Sequence, residues 1–365
     1  MVRRRPARGP GRRGAAVGAP QRIRAAGRAM SGTRSSDRGA DLARRACLGR
    51  LAGAAGALAL GLPARAQAWP ARPVRVVLGY TPGGSADTTA RELTVPLAAA
   101  LGQPLVVDYK AGASGTIAGA EVARAAPDGY TLGLLDNAPL TIVPALRNAG
   151  YDPLAAFTPI TMVSHVPQVL VASASAGVGS LRELIEAMRK APGKFSYASG
   201  GAGSVGHLTT ELFKSRTGTY ALHVPYRGGA PAINALLAGE VQFAFLTPTA
   251  TQGFIQAGKL KALGVSSRSR LASLPGVPTI AESVIPGFEA PGWFALVGPA
   301  GLPEPVVSTL RRSVAQVLAT PAVVSRLEAL GQTLPPAGQD VRGVISAELA
   351  TWKQLVAERK LVIEG

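Results

Sequence analysis

The sequence predicts an α/β fold built as two lobes, and three observations carry that expectation. From Trp69 onward, β-branched apolar runs alternate with helical patterns over the whole length, the signature of parallel α/β units. The 297 residues from Trp69 to Gly365 exceed what one α/β core commonly organises, so two domains are expected. The last strand-like run, Gly292–Gly301 (GWFALVGPAG), is followed only by helical patterns. Helices without strands of their own must cover a sheet built earlier. The chain is therefore expected to leave a first lobe (69–168), complete a second (169–291) and return to the first (292–365).

The expected strands, in order, are Val74–Tyr80, Leu105–Tyr109, Thr131–Leu135, Val169–Ser173, Phe195–Ser199, Ala221–Pro225, Val241–Leu246, Lys261–Ser266 and Phe294–Gly298. Helical patterns fill the intervals. The first carries Ala90, Leu93, Leu97 and Leu101 on one face, with Pro96 inside it, which should kink the helix or end it early. Ser180 and Glu183 form a capping box ahead of Leu181, Leu184, Ile185 and Met188. Leu208, Leu212 and Phe213 belong to a helix ending at Gly218, and Pro231 opens one with Ile233, Leu236 and Leu237 that ends at Gly239. Pro303–Leu318, Pro321–Leu330 and Val341–Lys360 complete the helical block. His165 falls near the middle of an extended stretch.

The chain has 365 residues and a formal charge of +18, which as a total suggests a grip on nucleic acid or an anionic membrane. Its distribution removes that reading. Residues 1–68 hold fifteen of the 39 basic residues and two of the 21 acids, so that segment carries +13 and the remainder only +5. Within it, Leu51–Leu62 (LAGAAGALALGL) is an uncharged apolar run preceded by Arg44, Arg45 and Arg50. It is followed by Ala64-Arg65-Ala66 and Ala66-Gln67-Ala68, the layout of a secretory signal peptide. Cleavage is expected after Ala68, leaving a periplasmic protein; no apolar stretch reaches the length of about 20 residues that spans a bilayer. Arg44-Arg45-Ala46-Cys47-Leu48 resembles a twin-arginine signal, and both that route and the general secretory one stay open. Residues 1–29 are Arg/Gly/Pro/Ala-rich without periodicity and should be disordered. They are either an upstream mis-called start before Met30 or a basic arm.

Cys47 is the sole cysteine and should leave with the signal, so the mature chain offers no disulfide, thiolate metal site or cysteine nucleophile. The histidines, His165, His207 and His223, lack the close carboxylates or neighbouring histidines that a metal site needs. His207 and His223 are expected instead to hydrogen-bond locally and position loops. No metal, no cofactor and no nucleic-acid partner are expected, and the scattered acids suggest no general acid/base pair.

Glycine loops placed between a strand and a helix are where backbone N–H groups stay free to hold an anion. The first is Thr81-Pro82-Gly83-Gly84-Ser85, where Ser85 either adds a hydroxyl to a ligand site or serves as an ordinary N-cap. The second, Ser199-Gly200-Gly201-Ala202-Gly203-Ser204-Val205-Gly206, contains a G-x-G-x-x-G spacing. The dinucleotide reading needs an acid at the end of the next strand, and Ala221–Tyr226 has none. The Ser204 surroundings imitate a nucleophile elbow, but the acid-before-histidine order fails. An enzyme, hydrolytic or nucleotide-dependent, using Gly201–Gly206 remains the alternative to a binding protein.

Six motifs in order, Tyr80–Asp87 (YTPGGSAD), Ala126–Leu132 (APDGYTL), Tyr197–Gly200 (YASG), His223–Gly228 (HVPYRG), Ala257–Leu263 (AGKLKAL) and Leu274–Thr279 (LPGVPT), resemble the Bug family (Bordetella uptake gene products). These are the extracytoplasmic solute receptors of tripartite tricarboxylate transporters. The resemblance spans residues 69–365 and implies a type II periplasmic binding-protein fold, two α/β lobes joined by crossover strands with a ligand cleft between them. It implies a non-catalytic, monomeric receptor that closes on a small carboxylate-bearing solute and hands it to the transporter's membrane subunits. Carried onto this chain, the ligand-binding residues are Pro82, Gly83, Gly84 and Ser85 in the first loop, Asn137 and Ala138 in the Asp136-Asn137-Ala138 loop that fits one lining the cleft in relatives, Ser199, Gly200, Gly201 and Ser204 in the opposing loop, Tyr226, and Thr247. In many members Asp-Asn follows the strand that here ends at Leu246, whereas this chain has Thr247-Pro248. A ligand amino group would lose that partner, so a plain carboxylate is expected over an acidic amino acid.

Overall fold

The computed structural model describes residues 69–361; the basic leader, the signal segment with its cleavage position and Cys47 lie outside the described residues. Strands β1 (Val74–Leu78), β2 (Leu105–Tyr109), β3 (Thr131–Asp136), β4 (Phe157–Val166) and β10 (Gly292–Pro299) form one five-stranded sheet in the order β2-β1-β3-β10-β4. Strands β5 (Val169–Ala172), β6 (Ser196–Ser199), β7 (Leu222–Pro225), β8 (Phe243–Leu246) and β9 (Lys261–Val265) form the other, β7-β6-β8-β5-β9. In the first sheet β1 pairs in parallel with β2 and β3, while β10 inserts antiparallel between β3 and β4. In the second, β6 is parallel to β7 and β8, and β5 lies antiparallel between β8 and β9. These are two lobes of mixed α/β architecture.

Both faces of each sheet are covered, as nearly continuous apolar strands require. On one face of the first sheet Val76, Leu78, Leu134 and Phe294 pack against α1 (Ser85–Leu101), α9 (Glu304–Leu318) and α10 (Pro321–Ala329). On the other, Val77, Leu135 and Trp293 meet α2 (Thr116–Ala123) and α11 (Val341–Arg359). The second sheet is sandwiched between α4 (Leu181–Lys190), α5 (Val205–Thr217) and α8 (Ile280–Ser283) on one side and α6 (Gly229–Ala238) and α7 (Pro248–Gln256) on the other. A short α3 (Val143–Leu146) follows a wide turn at Ala138–Ile142. The α4 cap forms as expected, Ser180 Oγ accepting from the Glu183 N–H at 3.2 Å. Gly218 and Gly239 end α5 and α6 in the left-handed conformation.

Two expectations are corrected. Helix α1 runs through Pro96 to Leu101: Pro96 is half-buried, and the one backbone bond it removes is outweighed by burial of Leu93 and Leu97. Strand β4 was not among the expected strands; His165, its penultimate residue, falls near the middle of the extended run that β4 and β5 make over 157–172, as expected.

Two segments cross between the sheets, one from β4 into β5 and one from α8 into β10, and they are clasped. The Gln168 N–H donates to Ser266 Oγ at 2.9 Å, and Ser266 Oγ donates to the Ala290 carbonyl at 3.1 Å. Gln168 and Ser266 are buried.

Candidate functional site

The loops that follow β1, β3, β6 and β8 open at the C-terminal ends of parallel strands, where α/β sheets hold ligands. Those ends of the two sheets face each other. Ser114 Oγ, in the loop after β2, donates to the Ala202 carbonyl in the loop after β6 at 3.0 Å. Thr249 Oγ1, in the first turn of α7, donates to the Leu330 carbonyl of the first lobe at 2.9 Å.

On the first-lobe side, Pro82, Gly83 and Gly84 are exposed, and Gly83 has φ +88°, which favours glycine. The N-cap of α1 is Gly84 rather than Ser85. Ser85 Oγ is thereby released; it is buried with no hydrogen-bond partner among the described residues. The loop is braced from behind by Asp87, which accepts from the Gly83 N–H at 2.8 Å, Tyr109 Oη at 2.6 Å and Arg91 Nε at 3.0 Å. Burial pushes the Asp87 carboxyl up, but these donors prevail and hold it below the usual range. At the end of β3, Asn137 is fully buried, its Nδ2 reaching Glu348 Oε2 at 3.4 Å and its Oδ1 unpartnered. Ala138 is wholly buried and offers a ligand no side-chain surface.

On the second-lobe side, Ser199 Oγ sits 2.7 Å from His223 Nε2 and accepts from the Gly201 N–H at 3.2 Å. The Gly203 N–H donates to His207 Nδ1 at 3.1 Å. The imidazoles of His207 and His223 stack at 4.0 Å, with Tyr197 stacked on His223 at 4.8 Å. Burial lowers His207 to about 3 and His223 to about 4, so both rings are neutral and each fixes one end of the loop. They position the loop, as the sequence suggested. Gly201 and Gly203 have φ +126° and +79°. Ser204 caps α5, its Oγ accepting from the His207 N–H at 3.4 Å. The third glycine of the G-x-G-x-x-G spacing serves packing: a Cβ on Gly206 would press into the Phe245 carbonyl of β8. Thr247 precedes α7 as its N-cap. The Tyr226 hydroxyl faces Glu240 at 3.5 Å, and its backbone N–H donates to the Ser199 carbonyl at 3.0 Å, so this tyrosine supports the loop through its main chain.

The profile of the tripartite tricarboxylate transporter family receptor, TctC, matches residues 89–361. BugT of Bordetella pertussis is 38% identical over 302 residues, 82% of this chain and 93% of BugT. The chain belongs to this receptor family. Among solved structures, the R. palustris protein Rpa4515 with adipate superposes with a TM-score of 0.75 at 34% identity, covering 80% of this chain and 99% of that one. The periplasmic binding protein BugD gives 0.73 at 34%, covering 81% and 100%. The two-lobed receptor fold implied by the six motifs is thus the fold observed.

Beside the candidate site lie residues outside the expected set. Ser114 lies in Gly112-Ala113-Ser114-Gly115, a third glycine loop. Ala113 and Ser114 both have positive φ (47° and 52°), a strained pair beside the cleft, and a Cβ on Gly79 would lie 2.7 Å from Gly115 Cα. The glycine spacing was the available signal. Asp136 heads the loop that the resemblance placed at the cleft, but its pairing with Tyr80 has no local signal, and neither has the Gln168/Ser266 clasp.

Proposed function

We propose that this protein is a periplasmic receptor that closes its two lobes on a small carboxylate-bearing solute and delivers it, as a monomer and without catalysing a reaction, to the membrane subunits of a tripartite tricarboxylate-type transporter. The observation that carries the reading is the pair of helix N-termini at the meeting ends of the sheets. The first-turn N–H groups of Ser85 and Ala86 in α1, and of Val205 and Gly206 in α5, have no partner in turns or side chains among the described residues. Each terminus acts as about half a positive charge, enough for a carboxylate without a buried cation. Pro82–Ser85, Asn137, Ser199–Gly201, Ser204 and Thr247 line this space, with Ala138 and Tyr226 contributing main chain. The adipate held by Rpa4515 supports a carboxylate, and Thr247-Pro248 supports one without an amino group. Lobes of 69–168 with 292–365, and of 169–291, hinge at the Gln168/Ser266/Ala290 clasp. Export follows from the Arg44–Ala68 signal by either secretory route, with cleavage after Ala68.

Ser204 Oγ is committed to capping α5 and His207 to the Gly203 N–H, which speaks against the hydrolytic alternative. The test is mass spectrometry of solute co-purifying with the protein, followed by thermal-shift titration with mono-, di- and tricarboxylates. One or a few should raise Tm saturably. No shift with any of them overturns the assignment.

A further inference from the structure

Asp136 ends the central strand β3, at the sheet end where the loops open. Its register places it beside Phe294 of β10, which is itself opposite Ser164 of β4. These residues share one face of the sheet, the face covered by α1. Tyr80, two residues past the end of β1, closes the row, its hydroxyl donating to Asp136 Oδ2 at 2.7 Å. Asp136 is 7% exposed, and Oδ1 has no partner among the described residues. Two more polar atoms on this face are also buried and unpartnered: Ser85 Oγ, at the N-terminus of α1, and Ser164 Oγ. A carboxyl with one oxygen held and the other free, beside the loop that offers N–H groups to an anion, is positioned to meet a ligand oxygen.

We infer that Asp136 is a specificity residue of the cleft, which takes up a proton when a carboxylate solute binds and presents Oδ1 to it as a donor. The inference rests on the receptor reading given above. Two carboxyl groups sharing a site keep one proton between them, because the doubly ionised pair repels. The titratable groups facing Asp136 are Tyr80, from the end of β1, and Tyr151, from the segment before β4, neither of them a cation; Glu348 of α11 contacts the next residue, Asn137, instead. Burial raises the Asp136 carboxyl to about 7, with the Tyr80 hydroxyl and the nearby backbone N–H groups of Asp136 and Ala138 offsetting only part of that. The group is therefore ready to hold a proton at neutral pH. Solutes that offer only carboxylate oxygens are favoured while the proton is present.

The experiment is calorimetric titration of the purified protein with adipate, and with each carboxylate that raises its Tm, between about pH 6 and 9 in buffers of different ionisation enthalpy. Wild type should take up a fraction of a proton on binding, and affinity should fall by up to about tenfold per pH unit above neutrality. Asp136→Asn should bind with a flat profile and no proton uptake. Tyr80→Phe removes a donor that favours the ionised carboxylate, so it should move the profile to higher pH while leaving the fold intact. Binding with a flat profile in wild type, or a pH dependence retained in Asp136→Asn, overturns the inference and leaves the receptor reading standing. Failure of every carboxylate to bind overturns both.

Discussion

Replacing Gly206 by alanine tests whether the second glycine loop is set by packing or by ligand approach. In a helix interior alanine is favoured over glycine by about 1 kcal/mol. Gly253, exposed in α7 with nothing within 4 Å of a Cβ, should show that gain. Gly206 sits in the first turn of α5, and there a Cβ falls inside 3.0 Å of the Phe245 carbonyl oxygen, where 3.4 Å is ordinary contact. The neighbour is backbone of a central strand and cannot swing aside, so α5 must lift from β8. Overpacking of this kind costs about 1–3 kcal/mol. The two Gly→Ala changes should therefore differ by roughly 2–4 kcal/mol with opposite signs. At about 2–4 °C per kcal/mol for a chain of this size, differential scanning calorimetry should place Gly253→Ala a few degrees above wild type and Gly206→Ala clearly below it. Solute binding should weaken in Gly206→Ala because the N-terminus of α5 has moved. Were Gly206 there to admit a dinucleotide phosphate, the variant would keep its Tm and lose only binding. Equal stability of the two variants would refute the packing argument.

Further outcomes follow from the buried groups and the ties between the lobes. His207 and His223 have folded-state values of about 3 and 4, below the unfolded value of about 6.5. Their contribution is thus whole above about pH 6.5 and lost as pH falls toward those values. Acid unfolding monitored by circular dichroism should be shallower in His207→Asn/His223→Gln. Lys214 Nζ lies 2.6 Å from Glu211 Oε1, both side chains 5% exposed, and Tyr197 Oη donates to the same oxygen at 2.5 Å. Glu211→Gln should cost about 3–5 kcal/mol in urea unfolding by stranding the ammonium, and the double change Glu211→Gln/Lys214→Met should cost less. Thr249→Val removes the hydrogen bond to Leu330 and about 0.5–1.5 kcal/mol of closure, so solute affinity should fall by about 2- to 13-fold, read by calorimetry.

What was legible in the sequence were features whose cause is local. Buried strands such as β5 and β8 are continuous apolar runs, and left-handed caps at Gly218 and Gly239 are demanded by single residues. Strand β4 escaped because it contains Pro159 and alternates with polar residues, which argues against a central strand. It is the edge strand of its sheet, paired along its length with β10 and bridged to Thr333 only at His165, and at an edge proline is tolerated. The glycine loops showed themselves because positive φ selects glycine. The Asp136 loop showed itself only through the resemblance, and the pairing of Asp136 with Tyr80, 56 residues away, did not show at all. The clasp between the two crossing segments is likewise hidden, Gln168 and Ser266 being 98 residues apart. Of the two roles open to Ser85, the N-cap is the one a serine before a helix normally takes. Here glycine takes it, and the freed hydroxyl is one of the unpartnered atoms at the cleft.

The sign of the field in the cleft decides what the receptor can hold. The loops Thr81–Ser85, Asp136–Ala138, Ser199–Ser204 and Thr247–Pro248 contain no Lys or Arg; the positive terms there are the ends of α1 and α5, about half a charge each. Asp87, held ionised and braced by Arg91 and Tyr109, spends part of the α1 end on the Gly83 N–H. An ionised Asp136 beside a bound carboxylate would add a repulsion of roughly 3–4 kcal/mol at an effective dielectric of 20 and about 4–6 Å. Helix termini supply about 0.3–1 kcal/mol each, up to about 2 where partly buried, so the repulsion would match or exceed both together. With a proton on Asp136 the repulsion becomes a hydrogen bond and the termini are left to act on the solute. These four loops supply no fixed cation to bind phosphate or sulfate by charge alone, and Arg227, next to Tyr226, is exposed; discrimination then rests on the direction of donors, which a planar carboxylate can satisfy from both lobes at once.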